Sequence, residues 1–275
     1  MDSHIIDGKA LGLKHEEALK QKVANLSKKP KVVSILVGDD PPSLLYTKMK
    51  QKKAQDIGID FEYIHFPASE NFENVSMTIL KLNQDPYVSG IMVQLPLPKE
   101  FLGDKKTDDL LQTIDQKKDV DGLTGAGTFL PAAVKAVMSI LSAEEIILKD
   151  KFAVVWGNSK LVGAPIAEQL RNRGALVSVI TRDTPNKEQI TKRADLVVCA
   201  TGTAGILKGE MVKDRVVVID VGTLVIEEDN DVPAQVLGDV DFESVSPKAF
   251  KITPVPGGVG PMTVVSLLEN VVESV

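Results

Sequence analysis

The chain has 275 residues, of which 43% are hydrophobic and 25% charged, an ordinary globular composition. Thirty-two Lys and Arg against 38 Asp and Glu leave a net charge of −6, which argues against nucleic acid as a partner. No apolar run is long enough for a membrane span. Residues Met1 to His4 lack a secretory pattern. The single cysteine, Cys199, excludes an internal disulfide and fits a reducing, cytoplasmic setting. His4, His15 and His65 show no zinc-ligand spacing, so no metal site is expected. In chain order, residues 9–27 space apolar residues among Lys and Glu, as an amphipathic helix does. Residues 31–37 form a β-branched strand ending at Gly38, and 43–57 a helix that Gly58 stops. A strand at 61–66, a helix at 73–83 and a strand at 88–94 follow, the last ended by Pro96 and Pro98. Such crossovers are long enough to join parallel strands. A polar stretch at 116–128 separates this series from an apolar helix that Pro131 opens and that runs to about 141. A second series then predicts strands at 152–156, 176–180, 195–200 and 216–221, with helices at 162–173 and 187–192. A last helix at 263–272 follows a Pro/Gly-rich loop, with Thr263 as its expected N-cap. The pattern predicts an α/β protein of two units, with a small-molecule site in the cleft between them.

The second series opens like a nucleotide domain. Its first strand runs into Gly157-Asn158-Ser159, and Gly163 stands in the first turn of the next helix. A glycine turn and a helix N-terminus at the carboxyl end of a strand can receive a phosphate on free backbone N–H groups. The GxGxxG spacing is absent, and a plain tight turn reads equally well. Thr181-Arg182-Asp183 ends the next strand. An acidic residue there favours the free ribose of NAD, whereas an Arg favours the 2′-phosphate of NADP. Arg182 comes first and tilts the reading to NADP; the alternative is a solvated loop charge. Thr201-Gly202 and Gly222-Thr223 follow the next two strands, where a doubly wound sheet lines its ligand crevice, though each also fits an ordinary loop.

In the first series Tyr46 and Lys50 stand four apart on one helix face. A surface pair explains that spacing as well as a site does. Gln94 closes an apolar strand. Asp119 and Asp121 fall in a polar loop that reads, by spacing alone, as a charged turn. Near the C-terminus Pro254, Pro256 and Pro261 alternate with Gly257, Gly258 and Gly260, which fixes an unusual backbone path.

Together these segments resemble the bifunctional methylenetetrahydrofolate dehydrogenase/methenyltetrahydrofolate cyclohydrolase family. The most specific piece is Pro254-Val-Pro-Gly-Gly-Val-Gly-Pro-Met-Thr263. Support comes from Tyr46-x-x-x-Lys50, Val93-Gln-Leu-Pro-Leu-Pro98, Lys118-Asp-Val-Asp-Gly122, Val218-Ile-Asp-Val-Gly222 and Gly238-Asp-Val240, in the family's order. The resemblance implies a folate-site α/β domain at 1–125, joined by the C-terminal helix 262–275, and a Rossmann-like NAD(P)-binding domain at 135–258. It also implies a homodimer. It implies oxidation of 5,10-methylenetetrahydrofolate with NADP, or NAD, then hydrolysis to 10-formyltetrahydrofolate. Lys50 would handle the proton and Gln94 would tune it. Tyr46 would stack on the folate, Asp121 would accept from the pterin, and the Pro256, Gly257 and Gly258 backbone would border it. Gly157, Asn158, Ser159, Arg182, Thr201, Gly202 and Thr223 would bind the cofactor.

The chain departs from the family pattern in three places. Asn158 stands where the family usually has Arg, and Thr181-Arg182 where it has His-Ser, so Arg182 is expected to supply the missing charge. Gly122 to Phe129 is short, and Leu130-Pro131-Ala132-Ala133 replaces Pro-Cys-Thr-Pro. Thr223 replaces Ile. Retention of one activity only, or folate and nucleotide binding without catalysis, are the alternatives.

Overall fold

The computed structural model describes residues 4–226 and 235–275. Of the N-terminal tetrapeptide read for targeting, only the backbone of His4 lies within them. The strands in chain order are β1 His4–Ile5, β2 Lys31–Val37, β3 Asp60–Phe66, β4 Gly90–Val93, β5 Phe152–Trp156 and β6 Leu176–Ile180. β7 Leu196–Cys199, β8 Val216–Asp220, β9 Leu224–Ile226, β10 Gln235–Leu237 and β11 Ala249–Ile252 complete them. Two compact units result: Lys14–Ala132 with Val264–Val275, and Met1–Leu13 with Ala133–Thr263.

The first unit holds a parallel sheet in the order β3-β2-β4. β2 is central and buried over nearly its whole length, which is why Lys31–Val37 reads as a continuous apolar run rather than an alternation. β3, at the edge, buries fewer of its residues. The core of this unit joins Val32, Phe61, Met92 and Val120 to Leu267, Leu268 and Val271 of the last helix.

The second unit holds a six-stranded parallel sheet in the order β1-β11-β8-β7-β5-β6. Ala153 and Val155 of β5 enter one core cluster, whereas Val154 and Trp156 enter another. This is the period-two alternation of a strand covered on both faces. β1 and β11 are both short, and the sequence pattern does not show them. Their parallel pairing, His4 beside Lys251 and Ile5 beside Ile252, makes this N-terminal stretch part of the second unit. β9 and β10 form a separate antiparallel pair.

The last helix differs from its expected start. It spans Val259–Glu273, so Thr263 is not its N-cap. The Thr263 hydroxyl instead donates back to the Val259 carbonyl at 3.1 Å, inside the helix. The helix begins earlier because Gly260 and Pro261 fall in its first turn, where a proline's missing N–H costs nothing.

Candidate functional site

The helix Pro41–Ile57 carries the first cluster of candidate residues. Asp40 caps it, accepting from the Ser43 N–H at 3.0 Å and the Ser43 hydroxyl at 2.6 Å. Gly58 ends it at φ 96°, a left-handed conformation that suits glycine. The buried stripe between runs Ser43, Thr47, Lys50, Ala54, Ile57. Three- and four-residue steps mark a core-facing stripe, so Lys50 occupies a place that calls for an apolar residue.

Lys50 is only 6% exposed. Its Nζ donates to Gln94 Oε1 at 3.1 Å and lies 4.6 Å from the centre of the Tyr46 ring. Gln94 follows β4 and is itself buried; its Nε2 donates to the Leu95 carbonyl at 2.9 Å, which orients the amide oxygen toward the amine. Burial pulls the Lys50 pKa down, and the charge of Asp121 only partly offsets this. Burial, helped by Asp121, pushes the Tyr46 phenol up to about 12, so it stays protonated at neutral pH. Burial also raises Asp121, against the pull of Lys50 and of the Ala132 N–H. Tyr46, Lys50, Gln94 and Asp121 therefore form one electrostatic group within the first unit.

The loop bearing Asp121 is rigidly held, and here Asp119 departs from a charged turn. Asp119 is fully buried and accepts from the Leu123 and Thr124 N–H groups, both at 2.9 Å, and from the Thr124 hydroxyl at 2.7 Å. Val120 enters the core, and Asn270 of the last helix donates to the Val120 and Leu130 carbonyls at 2.8 and 3.0 Å. One aspartate of the pair holds the loop and leaves the other for the Lys50 group.

The second unit forms a cavity of about 400 Å³ at the carboxyl ends of β5, β6 and β7. β6 lies on one side of β5 and β7 on the other, so the strand order reverses there. Doubly wound sheets bind their ligands at such a reversal. Gly157, Asn158, Ser159, Arg182 and Thr201 all line the cavity, joined by Trp156, Lys187 and Thr203. A Cβ on Gly157 would collide with the Ala200 carbonyl, and one on Gly163 with the Gly157 carbonyl. Turn and helix thus approach more closely than any side chain allows. The first two helix amides are not free, however. Gly163 N–H donates to Ser159 Oγ at 3.2 Å and Ala164 N–H to the Ser159 carbonyl at 3.1 Å. The Ser159 hydroxyl oxygen accepts from the first helix amide and keeps its own hydrogen to offer a ligand.

The remaining candidates lie elsewhere. Gly202 sits between two wall residues, and Thr223, exposed after β8, is not on this wall. Pro256, Gly257 and Gly258 belong to the second unit. There the Gly257 carbonyl accepts from Lys9 N–H at 3.1 Å, and Gly258 N–H donates to the Pro254 carbonyl at 2.9 Å. Among the described residues, no group of three or more His, Cys, Asp or Glu could hold a metal. No described helix is long and apolar enough to cross a membrane.

Residues 6–121 match the family model for the tetrahydrofolate dehydrogenase/cyclohydrolase catalytic domain, and residues 131–275 match the model for its NAD(P)-binding domain. The chain belongs to the tetrahydrofolate dehydrogenase/cyclohydrolase family. It is similar to the bifunctional protein FolD of Lactobacillus acidophilus, at 41% identity over 98% of this chain and 96% of that protein. It resembles the crystal structure of the bifunctional FolD enzyme of Campylobacter jejuni, with a TM-score of 0.92 and 41% identity, covering 99% of this chain and 98% of that one. It also resembles the Trypanosoma brucei FolD complexed with NADP cofactor and inhibitor, with a TM-score of 0.93 and 31% identity, covering 100% and 97%.

Within this family frame, the residues that sequence reading missed are informative. Lys187 stands on the wall of this cavity with its Nζ 5.9 Å from the Trp156 ring centre. It opens the short helix Lys187–Thr191, and only its place after the strand that ends near Arg182 hints at it. Asp239 has only the Gly238-Asp-Val motif to mark it in the sequence, yet it is 1% exposed and bonded to the Thr201 loop.

Proposed function

We propose that this chain is a bifunctional one-carbon folate enzyme. It oxidises 5,10-methylenetetrahydrofolate with NADP, then hydrolyses the 5,10-methenyl product to 10-formyltetrahydrofolate. The observation that carries this reading is Lys50, an amine placed in a core stripe, bonded to Gln94 and under the charge of Asp121. A lysine costs stability there, and a proton-handling role accounts for it.

A bound nicotinamide dinucleotide supplies the hydride acceptor. The close Gly157–Gly163 turn, Ser159 and two cations, Arg182 and Lys187, suit its phosphates. Hydrolysis adds the oxygen of water to the methenyl carbon, releases a proton and breaks the carbon–N5 bond. Lys50, with its lowered pKa, takes that proton. Gln94 holds the amine in place through its amide oxygen. Tyr46, kept neutral, offers its ring to the planar folate. Asp121 accepts from the N–H groups of the pterin.

A homodimer is part of the same reading. β6 is an edge strand, its outer side unpaired among the described residues, and Leu176 on it is 66% exposed. The cytoplasm is the proposed compartment, in keeping with the single buried, reduced Cys199.

One observation favours a second reading, a member with a weak dehydrogenase. Asn158 is exposed on the phosphate turn where the resemblance leads one to expect Arg. Losing a charge-assisted contact of about 1.5–3 kcal/mol would weaken NADP roughly ten- to a hundredfold unless other cations replace it. The test measures methenyl formation with NADP and with NAD, and methenyl hydrolysis separately. Arg182→Ala is expected to raise KM for NADP about tenfold or more and to leave KM for NAD within about twofold. Equal effects on both cofactors would remove the 2′-phosphate role. Hydrolysis without oxidation by either cofactor would leave the second reading.

A further inference from the structure

Two buried carboxylates in the second unit take no part in the chemistry above. Asp220 ends β8 and is 3% exposed, and Asp239 follows β10 and is 1% exposed. Among the described residues, neither accepts a hydrogen bond from a cationic side chain. Asp220 accepts from Gly222 N–H at 2.9 Å, from Asp239 N–H at 3.1 Å and from Val240 N–H at 2.9 Å. Its backbone N–H donates to the Thr253 hydroxyl at 2.7 Å. Asp239 in turn accepts from the Thr201 N–H, from the Thr201 hydroxyl at 2.8 Å, from Gly202 N–H at 3.2 Å and from Thr203 N–H at 2.9 Å. A Cβ on Gly222 would strike the Asp239 carboxylate, and one on Gly238 the Asp220 carboxylate, so the packing leaves no slack.

The donors that Asp239 collects all come from three consecutive residues. Two of these, Thr201 and Thr203, line the cofactor cavity beside the reversal of strand order. A loop in that place has no regular ladder to fix it, and its amides need acceptors. A carboxylate accepting several at once sets the loop in one conformation. Asp220 then fixes Asp239 by holding its backbone.

We propose that Asp239 is a positioning residue for the dinucleotide, gathering residues 201–203 into the cavity wall that the cofactor meets, with Asp220 as its support. The inference rests on the cofactor reading given above. It differs from a general packing role because it requires Asp239 to act through Thr201.

A double-mutant cycle on NADP binding separates the two. Trp156, the chain's single tryptophan, lies on the cavity wall and reports binding by its fluorescence. Asp239→Asn, which replaces one acceptor oxygen with a donor, is expected to weaken NADP about tenfold or more. Thr201→Val is expected to weaken it too, and Thr201→Ser, which keeps the hydroxyl, to bind as the unaltered protein does. The double variant Asp239→Asn/Thr201→Val is expected to be little weaker than Asp239→Asn alone. Asp239→Asn combined with Arg182→Ala, at a separate part of the wall, should multiply the two losses. Unchanged binding by Asp239→Asn overturns the proposal, as does full multiplication of the Asp239 and Thr201 losses. If Asp239→Asn does not fold, the Thr201 pair decides: equal binding by the Val and Ser variants overturns the proposal. Failure of the unaltered protein to bind NADP would remove the cofactor reading itself, and this inference with it.

Discussion

At the scale of single residues, Lys50 shows how a site is written against the rules of a core. Its stripe partners are small or apolar, and among the described residues Gln94 is the one group hydrogen-bonded to its amine. Desolvation disfavours the ammonium, so Lys50 gives up its proton at a lower pH than a free lysine with its usual 10.5. The base form increases as pH rises through that lowered value. Methenyl hydrolysis is therefore expected to rise with pH and to level off below 10.5, when measured against the spontaneous rate. Lys50→Ala is expected to lose about 10²–10⁴-fold of that activity. Lys50→Arg should lose nearly as much, because guanidinium stays charged. A pH profile identical in Lys50→Arg and the unaltered protein would exclude Lys50 as the group that titrates. Asp220 makes a similar point: burial pushes its pKa up to about 6, a cost that three backbone donors reduce without removing.

At the scale of elements, the strand–turn–helix after β5 depends on two absent side chains. Gly157 has φ 103°, and its Cβ position is filled by the Ala200 carbonyl. Gly163 opens its helix against the Gly157 carbonyl. Gly163→Ala must push turn and helix apart, a strain of about 1–3 kcal/mol. Urea unfolding of this variant should show that loss, together with weakened NADP binding as the phosphate turn moves. Unchanged binding would mean that the turn does not carry the phosphate. The central strands and the helices between them were legible in the sequence because each carries a full period of its own pattern. β5 and β6 match their expected limits: β5 is an apolar run between Lys151 and Gly157, and β6 a largely β-branched run that Thr181 ends. β1, with two residues, is too short for any period to show, and β11, Ala-Phe-Lys-Ile, breaks its apolar run with Lys251. The start of the last helix was misplaced for a related reason. Gly260 and Pro261 read as loop residues, yet both are tolerated in a first turn.

At the scale of the whole molecule, the edge of the six-stranded sheet is the feature with a consequence. A parallel edge with exposed Leu176 is a surface that a second copy can pair with. Light scattering is expected to give twice the 29.7 kDa mass of the chain, and Leu176→Lys to shift it toward the single chain. A monomer in the unaltered protein at micromolar concentration would remove the homodimer. The sequence by itself determined the α/β class, the two series of parallel strands and the family, because periodicity and ordered motifs are local properties of the chain. It also named Tyr46, Lys50, Gln94 and Asp121, but spacing alone left them open to a bland reading. Tertiary structure decided that Lys50 is buried and bonded to Gln94, and that Asp119 is an anchor and not a second site carboxylate. It also decided that Lys187 joins Arg182 on one wall and that Asp239 reaches back to Thr201. These are facts of burial and of contact between residues far apart in the chain. Burial and partnership set the charge and direction of a polar group, and neither has a signature in its immediate neighbours.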